Sequence, residues 1–458
     1  MLPIERACYW LAGLPERTVT PLAGTTESDI VVIGAGLTGL WTALFLKELD
    51  PSQDIAVVEQ GIAAYGASGR NAGMLSETVD HSHALAIQHF GTEAARTLAR
   101  LGAANVAEME SFLAERKIAC DYEATGRLMV ALTPAQVEEG RRSVEIARSL
   151  GIESYRELSA DAVRAEVHCA LYQGAVSVRG GGILDPARLT DGLRREAERL
   201  GVRVYERSPV ESVSEQGSGV EIRANGATLR ARHAVFATSA YTHHLLPAIR
   251  SRFIPLYDYI LVSEPLSAAQ WELMGWRGRQ GITDGRTFFN YYRPTRDGRV
   301  LWGTSEAVYY RGDRVGPECD HSPGHYDALK ASWRRHFPAL AELQWPYAWG
   351  GAICSTTRLT PFFGRALGGR ATYGLGYTGH GLGTTRLAGR ILAHLALGRP
   401  SELLELPLVT KPPFPYPPEP FRGWAVNAVT RALRRVDRGE GPNLLLRVLE
   451  RMGIGFSS

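Results

Sequence analysis

The sequence predicts an α/β protein in which a Rossmann-like dinucleotide-binding unit opens the chain and a strand-rich region follows. Three observations carry this. Residues 30–59 hold an apolar strand, Gly34-x-Gly36-x-x-Gly39, a helical stretch and a second apolar strand ending at Glu59. Helical and strand patterns alternate through the first half of the chain, as βα units do. Residues 247–345 break that rhythm with many aromatic residues and short strand patterns.

Each piece of the opening unit has a physical task. The β-branched run at 30–33 favours a buried strand. Gly34 permits the tight turn, Gly36 lets backbone approach a pyrophosphate, and Gly39 lets helix pack on strand. The following helix, with Leu37 and Thr38 in its first turn, offers free N–H groups and partial positive charge to phosphates. Glu59, with Gln60 beside it, lies about twenty residues past Gly39, where an acid accepts from a ribose hydroxyl.

Further along, residues 126–132 read as a strand, and Thr133-Pro134 opens a helix with proline in its first turn. Asp185-Pro186 starts a helix that Gly201 stops, and residues 202–205 form a strand. Asn225-Gly226 predicts a type I′ hairpin, followed by a separate buried strand at 233–238. A second hairpin surrounds Asp297-Gly298. A helix over 382–397 ends at Gly398, with Pro400 just beyond. The proline-rich run 411–420 predicts an extended strap. After it, Val426, Val429, Leu433 and Val436 share one face of a basic helix that is expected to dock on the body, with a membrane-surface or partner helix as the alternative.

Composition narrows the function. A chain of 458 residues holds two domains, and a net charge of +3 argues against nucleic-acid binding. The cysteines Cys8, Cys120, Cys169, Cys319 and Cys354 form no paired motif and read as reduced thiols, with no metal site. No run reaches the roughly 18 apolar residues of a transmembrane segment, and the start is a poor signal peptide, so a cytoplasmic protein is expected. His81, His83 and His89 read as scattered surface residues.

Two further glycine-rich loops bear on the nucleotide. Gly66-Ala67-Ser68-Gly69-Arg70-Asn71-Ala72-Gly73 leaves backbone amides uncovered and adds two side-chain donors. Gly374-x-Gly376-Tyr377-Thr378-Gly379-His380-Gly381-Leu382-Gly383-Thr384 runs into the 382–397 helix, whose dipole suits the negative charge of a reduced flavin. Either loop alone is also what a flexible turn looks like. Three such loops, each joined to a strand or helix, point to one flavin nucleotide.

These motifs resemble the FAD-dependent oxidoreductases of the D-amino-acid oxidase superfamily, and most nearly the γ-glutamylputrescine oxidase-like branch. Gly182-Ile-Leu-Asp185-Pro186, Ala237-Thr238, Trp349-Gly-Gly351 and Pro361-Phe-Phe-Gly364 also match. The resemblance implies a Rossmann-like FAD-binding domain assembled from discontinuous segments (28–80, 183–246 and 346–400), and a substrate domain with an antiparallel sheet (81–182 and 247–345). Residues 401–458 would form the strap and helical tail. It also implies contacts to FAD: Gly34, Gly36, Leu37, Thr38 and Gly39 near the pyrophosphate, Glu59 and Gln60 at the ribose, and Ala67 to Gly73 (Ala67, Ser68, Gly69, Arg70, Asn71, Ala72, Gly73) by phosphates and ring. Val210 would meet adenine, Ala237 and Thr238 the pyrophosphate, and Gly379, His380, Gly381, Leu382, Gly383 and Thr384 the pyrimidine edge.

The implied reaction is C–N oxidation of a small-molecule amine, with hydride passing to flavin N5, imine hydrolysis, and reoxidation by oxygen or another acceptor. An aromatic enclosure would keep the amine neutral. Tyr257, Tyr259, Phe289, Tyr291, Tyr292, Trp302, Trp349 and Tyr377 are candidates, and Tyr259, Tyr291, Tyr377, His380 and Trp349 are the substrate-pocket residues predicted. No acid–base residue is assigned. Amino-acid-oxidising relatives commonly carry an arginine where this chain has Ile353, so an amine lacking a nearby α-carboxylate is expected. Arg358 replaces a common aspartate and reads as a surface residue or an anion contact. The alternatives are an amino-acid oxidase or dehydrogenase of the glycine/sarcosine oxidase type, a nicotinamide-dependent dehydrogenase, and a non-catalytic flavin-binding subunit.

Overall fold

Val31, Val32 and Ile33 are fully buried because their strand, Thr25–Ile33, lies inside a sheet covered on both faces. The computed structural model describes residues 2–79, 81–451 and 454. Thr25–Ile33 pairs in parallel with Ile55–Val58 on one side and Ala227–Phe236 on the other. Arg203–Tyr205 extends the sheet beyond Ile55–Val58, and Ala371–Leu375 then Phe362–Ala366 extend the opposite edge. The predicted hairpin turn is present, with φ of 54° at Asn225 and 73° at Gly226. The strand expected separately at 233–238 is instead one continuous strand with the hairpin's second arm, held to Thr25–Ile33 from Thr228 to Phe236.

Helices Leu37–Leu49 and Gly381–Leu397 cross closely over this sheet, where a Cβ on Gly389 would lie 2.7 Å from that of Trp41. Helix Thr92–Glu115 adds Leu98, Val106, Met109 and Leu113 to the same core. That stretch was expected in the substrate domain, but its apolar stripe belongs to the nucleotide half.

The second sheet runs in the order Tyr347–Ser355, Ile254–Val262, Val300–Thr304, Asn290–Pro294, Gly281–Asp284, Arg127–Ala131, Gly174–Val178, Tyr155–Ser159. It is antiparallel except where Gly281–Asp284 meets Arg127–Ala131 in parallel. Tyr347–Ser355 was expected with the 346–400 segment, yet its ladder to Ile254–Val262 runs from Ile254↔Ser355 to Val262↔Tyr347 and places it in the second sheet. One face of this sheet buries Tyr257, Tyr259, Tyr292, Trp302 and Trp333 in an aromatic core. The other face looks toward the nucleotide half.

The tail wraps back onto the body. Arg358 Nη1 donates to the Lys411 carbonyl (2.7 Å) and Thr357 Oγ1 to the Phe414 carbonyl (2.8 Å), fixing the strap. Helix Phe421–Val436 leaves Val426, Val429, Leu433 and Val436 half-buried and is anchored mainly by Arg422–Asp313 and Arg434–Glu306 ion pairs. At its C-cap the Asp437 carboxylate accepts the amides of Thr287 (2.7 Å) and Phe288 (2.9 Å). A further helix, Leu444–Arg451, was not predicted. All five cysteines are free and buried. Among the described residues no helix is long and apolar enough to cross a membrane.

Candidate active site

A cavity of about 560 Å³ opens between the two sheets, and residues from all three glycine-rich loops line it: Gly34 and Gly36, Ser68, and Gly379 to Gly383. At the first loop, Gly34 has φ of 107°, and a Cβ there would come 2.8 Å from the Ala237 carbonyl. A Cβ on Gly36 would come 2.7 Å from Ser68 Oγ, which accepts the Leu37 amide at 2.8 Å. The first two loops therefore interlock at the N-terminus of helix Leu37–Leu49.

Glu59 faces the cavity with its carboxylate oriented by the amides of Ala35 and Gly61, both at 2.9 Å. Burial raises its pKa, and these backbone donors oppose the rise. Gln60, Val210, Ala237 and Thr238 line the same end. At the third loop, helix Gly381–Leu397 starts at the cavity with no side-chain cap, so its first-turn amides stay open to it. Thr38 Oγ1 donates to Tyr377 Oη at 2.9 Å, tying the first loop to the third.

Some predicted contacts lie elsewhere. Gly39 sits beneath the turn, where a Cβ would meet the Gly34 carbonyl at 1.9 Å. Gly69 packs on the Ala64 carbonyl and Gly73 on the Leu184 carbonyl, so neither lines the cavity. Thr384 turns into the protein, donating to the Val79 and His380 carbonyls, and Thr385 takes the lining position. Asn71 lines the cavity, but its amide donates to the Ala67 and Ser68 carbonyls and folds its own loop. Arg70 is held by Asp320 (2.7 Å) and the Tyr65 carbonyl (2.6 Å), which leaves only Nη2 buried without a partner.

The substrate-side expectations divide by strand parity. Tyr291, Tyr377, Phe289 and His380 line the cavity. Tyr259 does not: on Ile254–Val262 the side chains alternate, so Tyr257 and Tyr259 enter the aromatic core while Leu256 and Asp258 face the cavity. Tyr259 Oη contacts Tyr310 Oη at 2.5 Å and donates to the Cys319 carbonyl at 2.9 Å. Tyr292 and Trp302 share that core. Trp349 is fully buried, its indole N–H donating to the Arg70 carbonyl at 2.9 Å beneath the loop.

Histidines 81 and 83 are not surface residues. His81 lines the cavity with its ring centroid 4.0 Å from that of His380, and its Nε2 lies 2.5 Å from the Thr378 carbonyl. Burial lowers the pKa of His81 to about 4 and that of His380 well below the usual range, so both rings are neutral near pH 7. His83 is buried and His89 half-buried. Arg358 is likewise buried, bound to Thr360 Oγ1 and the strap.

Tyr241, Asp258, Thr283 and Arg127 line the cavity but were missed. Only Asp258 left a signal, a lone carboxylate inside the apolar run Ile-Pro-Leu-Tyr-Asp-Tyr-Ile-Leu-Val. Burial lifts its pKa to about 6 against the opposing Tyr291 hydrogen bond.

The donor set fits FAD. Backbone amides from three loops, an oriented ribose-side carboxylate, and unpartnered buried nitrogens on Arg70, His81 and His380 surround one cavity. Comparison with known proteins agrees. A family model described as FAD dependent oxidoreductase (DAO) matches residues 29–395. The chain is 31% identical over 373 residues to γ-glutamylputrescine oxidoreductase of Escherichia coli K12, covering 81% of this chain and 84% of that one. It is 27% identical over 401 residues to a probable oxidoreductase OrdL of Haemophilus influenzae, covering 86% and 88%. In fold it resembles glycine oxidase from Geobacillus kaustophilus, with TM-score 0.69 and 20% identity, covering 82% of this chain and 96% of that one.

Proposed function

We propose that this chain, which belongs to the FAD-dependent oxidoreductase family, oxidises the C–N bond of an amine that carries no carboxylate beside the reacting carbon. One observation carries the reading: Ile353 presents an aliphatic side chain to the cavity at the position where amino-acid-oxidising relatives are expected to carry an arginine. The name of the γ-glutamylputrescine oxidoreductase relative supports an amine as the substrate class.

FAD, when bound, supplies the hydride acceptor. The chain supplies the surroundings. Leu256, Phe289, Tyr291 and Ile353 form a largely apolar wall. Such a wall excludes water and disfavours the ammonium form of an amine, which titrates near 10 in water and must be neutral to lose hydride. At the opposite side, the uncapped amides at Gly381 to Gly383 and the helix dipole favour negative charge. His81 and His380 add neutral donors and acceptors rather than cations.

A second reading rests on Arg127, whose Nε is buried without a hydrogen-bond partner at the cavity. It could hold the carboxylate of an amino acid, as an oxidase of the glycine type requires. Anaerobic flavin bleaching separates the two. Simple amines and diamines bleaching faster than glycine, sarcosine or D-alanine support the proposal. The reverse order supports the Arg127 reading, and a yellow protein inert to all of them supports a flavin-binding subunit.

A further inference from the structure

Asp258 is a cavity-facing carboxylate that forms no ion pair among the described residues, although Arg70 and Arg127 line other parts of the same cavity. Its neighbours on Ile254–Val262 turn into the aromatic core, whereas Asp258 turns to the cavity. Among the described residues no arginine, lysine or histidine forms an ion pair with it, and its carboxylate accepts from Tyr291 Oη at 2.7 Å. Several buried carboxylates here are matched by cations: Asp313 by Arg422 and Arg250, Asp320 by Arg70, Asp284 by Arg286, and Glu206 by Arg17. Buried Glu59, which has no ion pair among the described residues, is held by two backbone amides; half-buried Asp258 has the phenol. A carboxylate that faces a largely apolar cavity without a counter-charge is costly to ionise, so a site that keeps one is suited to a cationic ligand.

The phenol is placed with equal specificity. Tyr291 lies across position 303 of the neighbouring strand, where a Cβ would meet its ring at 2.2 Å. Only glycine there leaves the ring room to reach Asp258. The resulting pair presents a carboxylate, steered by a phenol, to a cavity whose lining also includes Leu256, Phe289 and Ile353, with Thr283 and Arg127 on the same sheet.

We propose that Asp258, positioned by Tyr291, binds an ammonium group of the substrate other than the nitrogen being oxidised, so that the substrate class is a diamine, polyamine or other amine with a second cationic nitrogen. This rests on the amine reading given above. The choice of the second nitrogen follows from electrostatics. A carboxylate beside the reacting amine would hold it as ammonium and withhold the lone pair that hydride loss requires. The same carboxylate beside a remote ammonium gains a charge-assisted hydrogen bond and orients the chain between the two nitrogens. The apolar wall suits the methylenes of such a chain.

The test uses the FAD-loaded full-length protein, with putrescine compared against n-butylamine, and calorimetric titration with guanidinium, a cation that has N–H donors but no C–H to surrender as hydride. In Asp258→Asn the ratio of kcat/KM for putrescine over n-butylamine falls about 100-fold, chiefly through KM, and guanidinium affinity falls at least about tenfold. Tyr259→Phe, on the same strand but the opposite face, leaves the ratio unchanged. Retained flavin absorbance confirms that Asp258→Asn is folded. An unchanged ratio in Asp258→Asn overturns the proposal while leaving amine oxidation standing. If the wild-type protein oxidises no amine, the amine reading fails, but guanidinium binding that Asp258→Asn removes still upholds the cation site, and its absence in wild type overturns it.

Discussion

The two walls of the cavity are built from different materials. On the nucleotide side the ligand-facing surface is largely backbone, at Gly36 and at the uncapped first turn from Gly381 to Gly383, where glycines leave the main chain uncovered. On the second-sheet side it is side chains, Leu256, Asp258, Tyr291 and Ile353, whose direction depends on which face of a strand each residue occupies. A backbone site is written into the sequence as spacing. A side-chain site is written as parity, and a shift of one residue exchanges cavity for core.

That contrast can be broken first on the backbone wall. Gly39→Val places a Cβ 1.9 Å from the Gly34 carbonyl, so the turn cannot form as it stands. The expected outcome is loss of flavin retention by at least about 100-fold, or of folding itself, read as flavin absorbance of the purified protein. Next, Arg70→Met removes the partner of buried Asp320 and should lower stability by about 3–5 kcal/mol in denaturant titration, because a charge is left uncompensated where the second sheet meets the loop.

Asp258→Asn has the opposite sign. A folded-state pKa near 6 against about 3.9 unfolded means that the carboxylate costs stability increasingly as pH rises from about 4, and in full above about 6. The asparagine variant should therefore be more stable than wild type by about 1–3 kcal/mol at pH 7, and the advantage should vanish as pH falls below about 4. In the wild type, ammonium affinity should weaken as pH falls through about 6, when the carboxyl takes up its proton. The smallest effect separates the two faces of one strand. Tyr259→Phe loses the hydrogen bond to the Cys319 carbonyl and costs about 1 kcal/mol of stability, with KM for the amine unmoved.

The nucleotide half was legible because each signal is local: the glycine spacing, Glu59 at its distance, Asn225-Gly226 at the hairpin, and Gly398 ending its helix with φ of 63°. Boundaries that depend on long-range pairing were not. Nothing within residues 347–355 states that their partner is the strand at 254–262, and nothing within 92–115 states which core its apolar stripe joins. The aromatic residues misled for the same reason. Tyr257, Tyr259, Tyr291 and Tyr292 are alike in type and context, and only the register assigns Tyr291 to the cavity and the other three to the core. His81 gave no signal, because its place beside His380 depends on chain segments 299 residues apart.

The Asp437 carboxylate grips the amides of Thr287 and Phe288, one residue short of Phe289 in the cavity wall. The C-cap of helix Phe421–Val436 thus works as a guy-rope for one wall of the reaction chamber rather than as a trailing accessory. An affinity handle fused there, or a protease cut just upstream of Asp437, would slacken the rope, and substrate discrimination would suffer before the flavin is lost.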